Sequence, residues 1–559
     1  MAQTNPQAGG KPRRKFGFLS KCFFLMALGV IVFLLLNAFG VLRYWQAEKA
    51  PQGETDLSFA AAELPFTHKA DLKNSLPFLG SAALDIDGDG IDELFLGGGK
   101  EQADQMFAFR GGKFDALPMR FNKGASDATY GAAAIDIDND GDTDLFTARE
   151  SGVWLHINTG NGFTSQALNL PLATNTAPLS ISFADLNKDG LPDMYVAGYI
   201  KISLVEGETI FSDNYGGYSY LFLNEGIEGG VSNWRDISKS AGVFRQHNTF
   251  LGVFTDLDND LDSDLVIAQD TGVVEMYENN GDLTFTPIAN PSVYSYPMGV
   301  AVGDYDNNGL MDLYFSNVGY TLPPALLRGD LAKDDPFNPA YMLFRNDGGL
   351  KFTDTAAEQS AARLGFGWGT VFADMNLDGR EDLLAAQNYA RFPLNQLWQH
   401  YPGKILQNYG DGFKPVEKVS GGMNRLPDSK DCQFGIAPII SDFNGDGWPD
   451  LVWANLDGKA IAYINQGGQN ADIKRQYLKL RMPNNAASLN AIVKLTDSAG
   501  GVQTRQVISG QGLGSDQTRD LMFGVKDGLS VRDVSVSFQN GTQRKLDAPQ
   551  LNSSLWVQP

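Results

Sequence analysis

Asp85, Asp87 and Asp89 alternate along DIDGDGIDEL, Gly90 follows at the sixth place, and Glu93 stands at the ninth. Side chains at places one, three, five and nine of a tight turn converge oxygen on one point, and the main-chain carbonyl of Ile91 at place seven adds another. Calcium takes about six to eight such hard ligands. Gly90 suits the sharp reversal because positive φ costs glycine little. An EF-hand begins similarly but needs a glutamate at place twelve and flanking helices. Here place twelve is Leu96, and the flanks SAAL and LFLG read as short strands.

Six further copies repeat the pattern. The second offers Asp136, Asp138, Asp140 and Asp144; the third Asp185, Asn187, Asp189 and Asp193; the fourth Asp256, Asp258, Asp260 and Asp264. The fifth offers Asp304, Asp306, Asn308 and Asp312; the sixth Asp374, Asn376, Asp378 and Asp382; the seventh Asp442, Asn444, Asp446 and Asp450. A single match is also what an acidic surface turn looks like; seven with shared flanks point to calcium at up to seven sites. Affinity follows ligand charge, so the second loop is the tightest candidate. The fourth is the weakest case, because Leu261 stands where glycine is wanted. Such sites are structural rather than sensory: filling them relieves carboxylate repulsion and pins the turn.

Places two and ten are apolar in every copy, so each loop joins strands that reach a core. The first aspartates are 51, 49, 71, 48, 70 and 68 residues apart, a period suited to one four-stranded blade per loop. Between the loops, HINTGNGF, MYENNGDLTF, LFRNDGGLKF and LQNYGDGF read as strand, Asn/Gly turn, strand. The fold class expected is all-β: a seven-bladed β-propeller with calcium loops, followed by a small C-terminal β domain and preceded by one N-terminal transmembrane helix. The propeller occupies 78–473 and the β domain 474–559, where Val534, Val536 and Phe538 alternate with serines. Residues 43–77 form a linker and lead-in, whose ELPFTH is expected to supply a ring-closing strand.

The net charge of −22 argues against nucleic acid as a partner. Cys22 and Cys432 are the two cysteines, which leaves no disulfide framework, and a buried structural thiol is the ordinary reading of Cys432. Cys22 to Leu42 is apolar apart from Asn37, and at about 1.5 Å per residue it spans roughly 31 Å, one hydrocarbon core. Lys11, Arg13, Arg14, Lys15 and Lys21 in the basic segment 1–21 precede it, and Tyr44 and Trp45 follow. This pattern predicts a single-pass membrane protein with a cytoplasmic N-terminus and the bulk of the chain periplasmic or extracellular. A cleaved signal peptide is the alternative.

The loops resemble the FG-GAP/VCBS repeats of integrin α-subunit propellers. GWGTVFADMNLDGREDLL and YMLFRNDGGLKFTDTAAEQSA are similar to repeats of the cartilage acidic protein family and its bacterial, membrane-anchored relatives. That resemblance implies a C-terminal ASPIC/UnbV domain, which RQVISGQGLGSDQTRDLMFGV and VSVSFQNG fit. Asn490 and Ala491 depart from the expected Gly-Ala pair, and Phe538 to Gly541 from the expected Trp-Pro-x-Gly.

In such blades the metal loops share one face and the long insertions fall opposite. Those insertions are aromatic: Tyr199, Phe211, Tyr215 and Tyr218; Tyr320, Pro323, Pro324 and Phe337; Tyr389, Phe392, Trp398 and Tyr401. They predict a scaffold holding a protein or glycan on the face opposite the calcium loops; the plainer reading has them packing together to plug the channel mouth. The alternatives are a subunit of a larger membrane complex or an enzyme with an axial pocket. His68, His156, His247 and His400 fall in no catalytic pattern, and no catalytic or organic-cofactor residues are assigned.

Overall fold

The computed structural model describes residues 18–38, 53–71, 73–121, 127–205, 215–228, 231–319, 327–387, 402–416, 434–469 and 474–559. Among the described residues the chain is all-β apart from one N-terminal helix and short 3-10 turns. Each metal loop joins two antiparallel strands, and two further strands complete the sheet. In the second repeat Thr129–Ile135, Asp144–Arg149, Gly152–Asn158 and Phe163–Ala167 pair in chain order. These repeated four-stranded sheets are of the propeller type. The innermost strand of each is buried along nearly its whole length, consistent with its apolar, small-residue sequence.

Inner strands of successive repeats touch one another, and the strand of the seventh repeat returns to Ser81–Leu84 of the first. Glycine permits the close approach: a Cβ on Gly131 would stand 2.1 Å from the carbonyl oxygen of Leu179. The outermost strand of the last sheet is Phe59–Ala62, pairing antiparallel with Ile461–Asn465. ELPFTH is therefore not the closing strand. It makes single bridges through Glu63 and Thr67, and Pro65 lacks the N–H that a ladder needs.

Both ends of the axis are filled. Phe78 packs edge-on against Tyr130, Tyr199, Phe250 and Trp368, with ring centroids 5.7 to 6.4 Å apart. From the other end comes the glycine-rich stretch Ile508–Asp520 of the C-terminal region. Gly512 exchanges both main-chain bonds with Val300 at 3.0 and 3.2 Å, and the Gly514 carbonyl accepts from Ser81 and Ala132. Ser515 and Asp516 run parallel to Ser81 and Ala82 as an added strand. Asp516 Oδ2 accepts from the Ala134 N–H at 2.8 Å, Gln517 Oε1 from Ile440 and Gln511 Oε1 from Val302. These groups satisfy inner-strand N–H groups that would otherwise be buried unpaired. Glycines at 510, 512 and 514 take positive φ and let the stretch follow the axis closely.

The C-terminal residues form two sheets, one of Arg475–Arg481, Leu521–Lys526 and Ser553–Trp556, the other of Ile492–Asp497, Val502–Gln506, Val531–Ser537 and Gln543–Asp547. Leu478, Leu480, Val493, Phe523, Val534 and Val536 build their common core.

The N-terminal helix runs Phe18–Ala38. Among the described residues no helix is long and apolar enough to cross a membrane, which overturns the expected transmembrane helix and, with it, the single-pass localisation. The side chains described within the helix, Leu25–Leu35, are apolar and mostly exposed. Lys11, Arg13, Arg14, Lys15, Tyr44 and Trp45 lie outside the described residues.

Candidate metal centres

Each acidic loop is wound by its own side chains. In the first, Asp85 accepts from the N–H groups of Gly88 and Gly90, Asp89 from Ile91, and Glu93 from Ile86. The second repeats this with Asp136 on Asp140 and Gly141, Asp140 on Asp142, and Asp144 on Ile137. Asp185, Asp189 and Asp193 wind the third, and Asp304, Asn308 and Asp312 the fifth. Asp374, Asp378 and Asp382 wind the sixth, and Asp442, Asp446 and Asp450 the seventh. Where place three is an amide, as at Asn187, Asn376 and Asn444, its Oδ1 accepts the place-five N–H just as a carboxylate would.

The fourth loop keeps the same shape despite Leu261. Asp256 accepts from Asp260 and Leu261, Asp260 from Asp262, and Asp264 from Leu257. Leu261 adopts φ +69 to do so, in the left-handed region that L residues avoid. Place four is left-handed as well, at Asn139, Lys188, Asn259, Asn307 and Leu377, a requirement the sequence pattern does not announce.

Four loops bring three carboxylates within 4.8 Å of one another: Asp85, Asp87 and Glu93; Asp136, Asp138 and Asp144; Asp256, Asp258 and Asp260; Asp304, Asp306 and Asp312. Asp89, Asp140 and Asp264 stand outside these sets, and the third, sixth and seventh loops form none among the described residues. In the sixth, Arg380 pairs with Asp378, so an internal cation already engages the place-five ligand.

The donor set fits a hard divalent cation. Burial, reinforced by the neighbouring carboxylates, pushes Glu93, Asp144 and Asp264 up to about 8, Asp193 to about 7, and Asp136, Asp185, Asp256 and Asp304 to about 6. Asp312, Asp382 and Asp450 are raised well above the carboxylate range for the same reason. Such groups favour ionisation only beside compensating positive charge. Asp258 Oδ1 and Asp442 Oδ1 are buried with no hydrogen-bond partner, each an acceptor awaiting a ligand.

Six asparagines support the loops from behind, and sequence reading sees some of them only as turn formers. Asn158, Asn224, Asn279, Asn346, Asn408 and Asn465 each donate their N–H to the free oxygen of the place-nine aspartate. Each Oδ1 accepts from a glycine two residues on. Four also reach back to the preceding repeat, where Asn158, Asn346, Asn408 and Asn465 donate to the carbonyls of Ile86, Leu257, Tyr305 and Met375. By strand register Phe109 holds this position in the first repeat, and there place nine is Glu93. The signal is Asn-x-Gly closing the third strand of each repeat but the first.

The metal-loop face is partly covered by the C-terminal sheets. Arg481 Nη2 meets Asp85 Oδ2 at 2.7 Å, Lys479 Nζ meets Asp442 Oδ2 at 3.2 Å, and Arg505 Nε meets Glu381 Oε1 at 3.0 Å. The Asp136 N–H donates to the Asn484 carbonyl, Gln506 bonds Asp256 on both sides, and Asn490 Nδ2 donates to the Phe254 carbonyl. On the other face, Tyr199 hydrogen-bonds Asp270 and Phe337 lies edge-on to Tyr296. Phe211, Tyr320, Pro323, Pro324, Tyr389, Phe392, Trp398, Tyr401, His400 and Cys432 lie outside the described residues. His68 and His156 hold structural bonds, to the Asp457 N–H and to Thr147 and Ser165 respectively.

Comparison with known families agrees with this architecture. FG-GAP-like repeat models match residues 85–147, 136–196 and 256–315, and an ASPIC and UnbV model matches 482–559. Cartilage acidic protein 1 of Xenopus tropicalis is 26% identical over 328 residues, covering 55% of this chain and 47% of that protein. The Homo sapiens protein is 25% identical, covering 55% and 46%. The match thus spans about half the length of these relatives. Among solved structures, a fungal alcohol oxidase in complex with copper covers 90% of this chain at TM-score 0.44 and 9% identity, too slight a likeness to bear on chemistry. The chain carries FG-GAP-like repeats and an ASPIC and UnbV domain.

Proposed function

We propose that this FG-GAP repeat chain is a seven-bladed propeller, stapled by calcium, that serves as a binding scaffold for a protein or glycan. Recognition falls on the connections opposite the metal loops. One observation carries the reading: the C-terminal sheets engage the metal-loop face, and Phe78 and Ile508–Asp520 enter the axis from its two ends, so the connections of the opposite face are the ones left for contacts. Leu204, Val205 and Tyr294, on connections of the open face, are 47%, 46% and 36% exposed. Rigid sheets presenting varied connections suit binding, because the scaffold bears the folding cost and the loops bear the contacts.

Photo-crosslinking side chains placed singly at Leu204, Tyr294 and, on the C-terminal sheets, Val502 test the assignment. Adducts to a protein or glycan are expected from Leu204 or Tyr294. Adducts confined to Val502 overturn the choice of face. Metal analysis of the purified chain in millimolar calcium is expected to find several ions per chain; none bound overturns the calcium reading.

A further inference from the structure

Two basic side chains of the C-terminal sheets end on place-one carboxylates, the residues that organise each metal loop. Arg481 reaches Asp85 of the first loop and Lys479 reaches Asp442 of the seventh. Asp520 links the pair, with Oδ2 3.1 Å from Lys479 and Oδ1 3.4 Å from Arg481. Asp442 shows how one carboxylate serves two neighbours. Its Oδ2 accepts from Lys479 and from the Gly447 N–H, while its buried Oδ1 has no partner. That free oxygen suits the metal and the occupied one seats the C-terminal sheets. In the second loop Asp136 contributes its main-chain N–H to Asn484, so the backbone of the loop is itself part of the seat.

We infer that metal binding by the loops and seating of the C-terminal domain are one coupled equilibrium, with Lys479 and Arg481 the residues that sense loop occupancy. The inference rests on the calcium reading above. The ion-free first and second loops each hold three carboxylates within 4.8 Å, and their repulsion favours opening the turn. Opening displaces Asp85 and the Asp136 N–H, anchors of the seat that Lys479 shares through Asp520. Lys479 is 5% exposed, and a buried ammonium that loses one of its two carboxylate partners is strongly destabilised. Asp520 takes up part of the positive charge of Lys479 and Arg481, so the docked pair does not oppose a divalent ion at full strength. Unseating withdraws Ile508–Asp520 from the axis and frees the inner-strand N–H groups of Ser81, Ala132, Ala134 and Val300. Metal loss thereby opens the metal-loop end of the axis, which calcium keeps closed.

Hydrogen exchange on the full chain, with metal content measured on the same samples, tests this. In saturating calcium the amides of 507–520 are expected to be protected, and in excess EGTA their protection falls by roughly 5- to 150-fold, the ordinary range of coupling between sites. Amides of the inner strand Thr249–Thr255 should keep theirs. Reciprocity requires that Lys479→Met and Arg481→Met together weaken calcium binding at the first, second and seventh loops, which the seat touches. Metal removed with 507–520 still protected, or a double variant that titrates like the parent, overturns the coupling alone. A chain that binds no metal in millimolar calcium overturns the calcium reading and this inference with it.

Discussion

Glycine at place six of a metal loop answers two demands that substitution can separate. Gly141 has φ +97 with no atom near a prospective Cβ, whereas a Cβ on Gly447 would stand 2.0 Å from the ring of Tyr477. Gly141→Ala is therefore expected to cost only the left-handed penalty, about 1–2 kcal/mol. Gly447→Ala should cost more, because it also lifts the C-terminal sheets off the seventh loop. Denaturant unfolding in saturating calcium reads both, and equal losses would refute the distinction. A second residue sets a pH dependence. Burial, with the Arg149 guanidinium adding to it, pulls His156 down to about 3, while unfolded histidine titrates near ~6.5. Below ~6.5 the unfolded chain takes up a proton that the folded chain refuses. Stability is thus held above ~6.5 and lost as pH falls toward 3, at up to about 1.4 kcal/mol per pH unit. Unfolding free energies of the parent and of His156→Gln from pH 7 to 4.5 check this; parallel slopes would sink it.

At the scale of elements, the asparagine closing each third strand ties the metal loop to its own sheet and, in four repeats, to the one before. Asn346 Nδ2 donates to Leu257 at 2.7 Å and to Met311 at 3.2 Å, whereas Asn224 reaches only Pro192, at 3.3 Å. Asn346→Ala strands two buried carbonyls and is expected to cost about 2–4 kcal/mol; Asn224→Ala strands one and should cost about half that. Thermal unfolding of the two variants in calcium gives the comparison, and a larger loss at Asn224 would contradict the inter-repeat role. The same residues show what is legible in sequence. Asp85 to Glu93, its six copies and the Asn/Gly hairpins are local patterns, so the strands and metal loops follow from spacing alone. Asn158 and Asn346 stand in stretches that already read as turns, yet their bonds to Ile86 and Leu257 cross between repeats and leave no local trace. Phe59–Ala62 escapes notice for the related reason that a four-residue strand of one phenylalanine and three alanines carries little periodicity. The apolar run Cys22 to Leu42 misleads in the opposite way, since residue apolarity reads as a span and no described helix is long and apolar enough to cross a membrane.

For the whole molecule, the decisive connections join the two ends of the chain to its middle. Phe59–Ala62 closes the last sheet, Phe78 fills one end of the axis, and Ile508–Asp520 fills the other. The glycines at 510, 512 and 514 mark turns in sequence, but nothing local says that those turns enter a channel. This closed arrangement makes the metal loops act on global stability. Each site that binds calcium with a dissociation constant of ~0.1 mM adds about 2.7 kcal/mol at ~10 mM calcium, because the ion binds the folded chain and not the unfolded one. Seven such sites would contribute roughly 19 kcal/mol. Unfolding entropy of about 2.1 cal/mol/K per residue gives about 1 kcal/mol per degree for a chain of this size, so chelation is expected to lower the melting temperature by well over ten degrees, on the order of 18. Scanning calorimetry in ~10 mM calcium and in excess EGTA, with metal content verified, measures the difference. A melt unchanged after verified metal loss would mean that the loops hold their shape through the Asp-to-backbone and Asn bonds alone, and that calcium is not what staples the sheets.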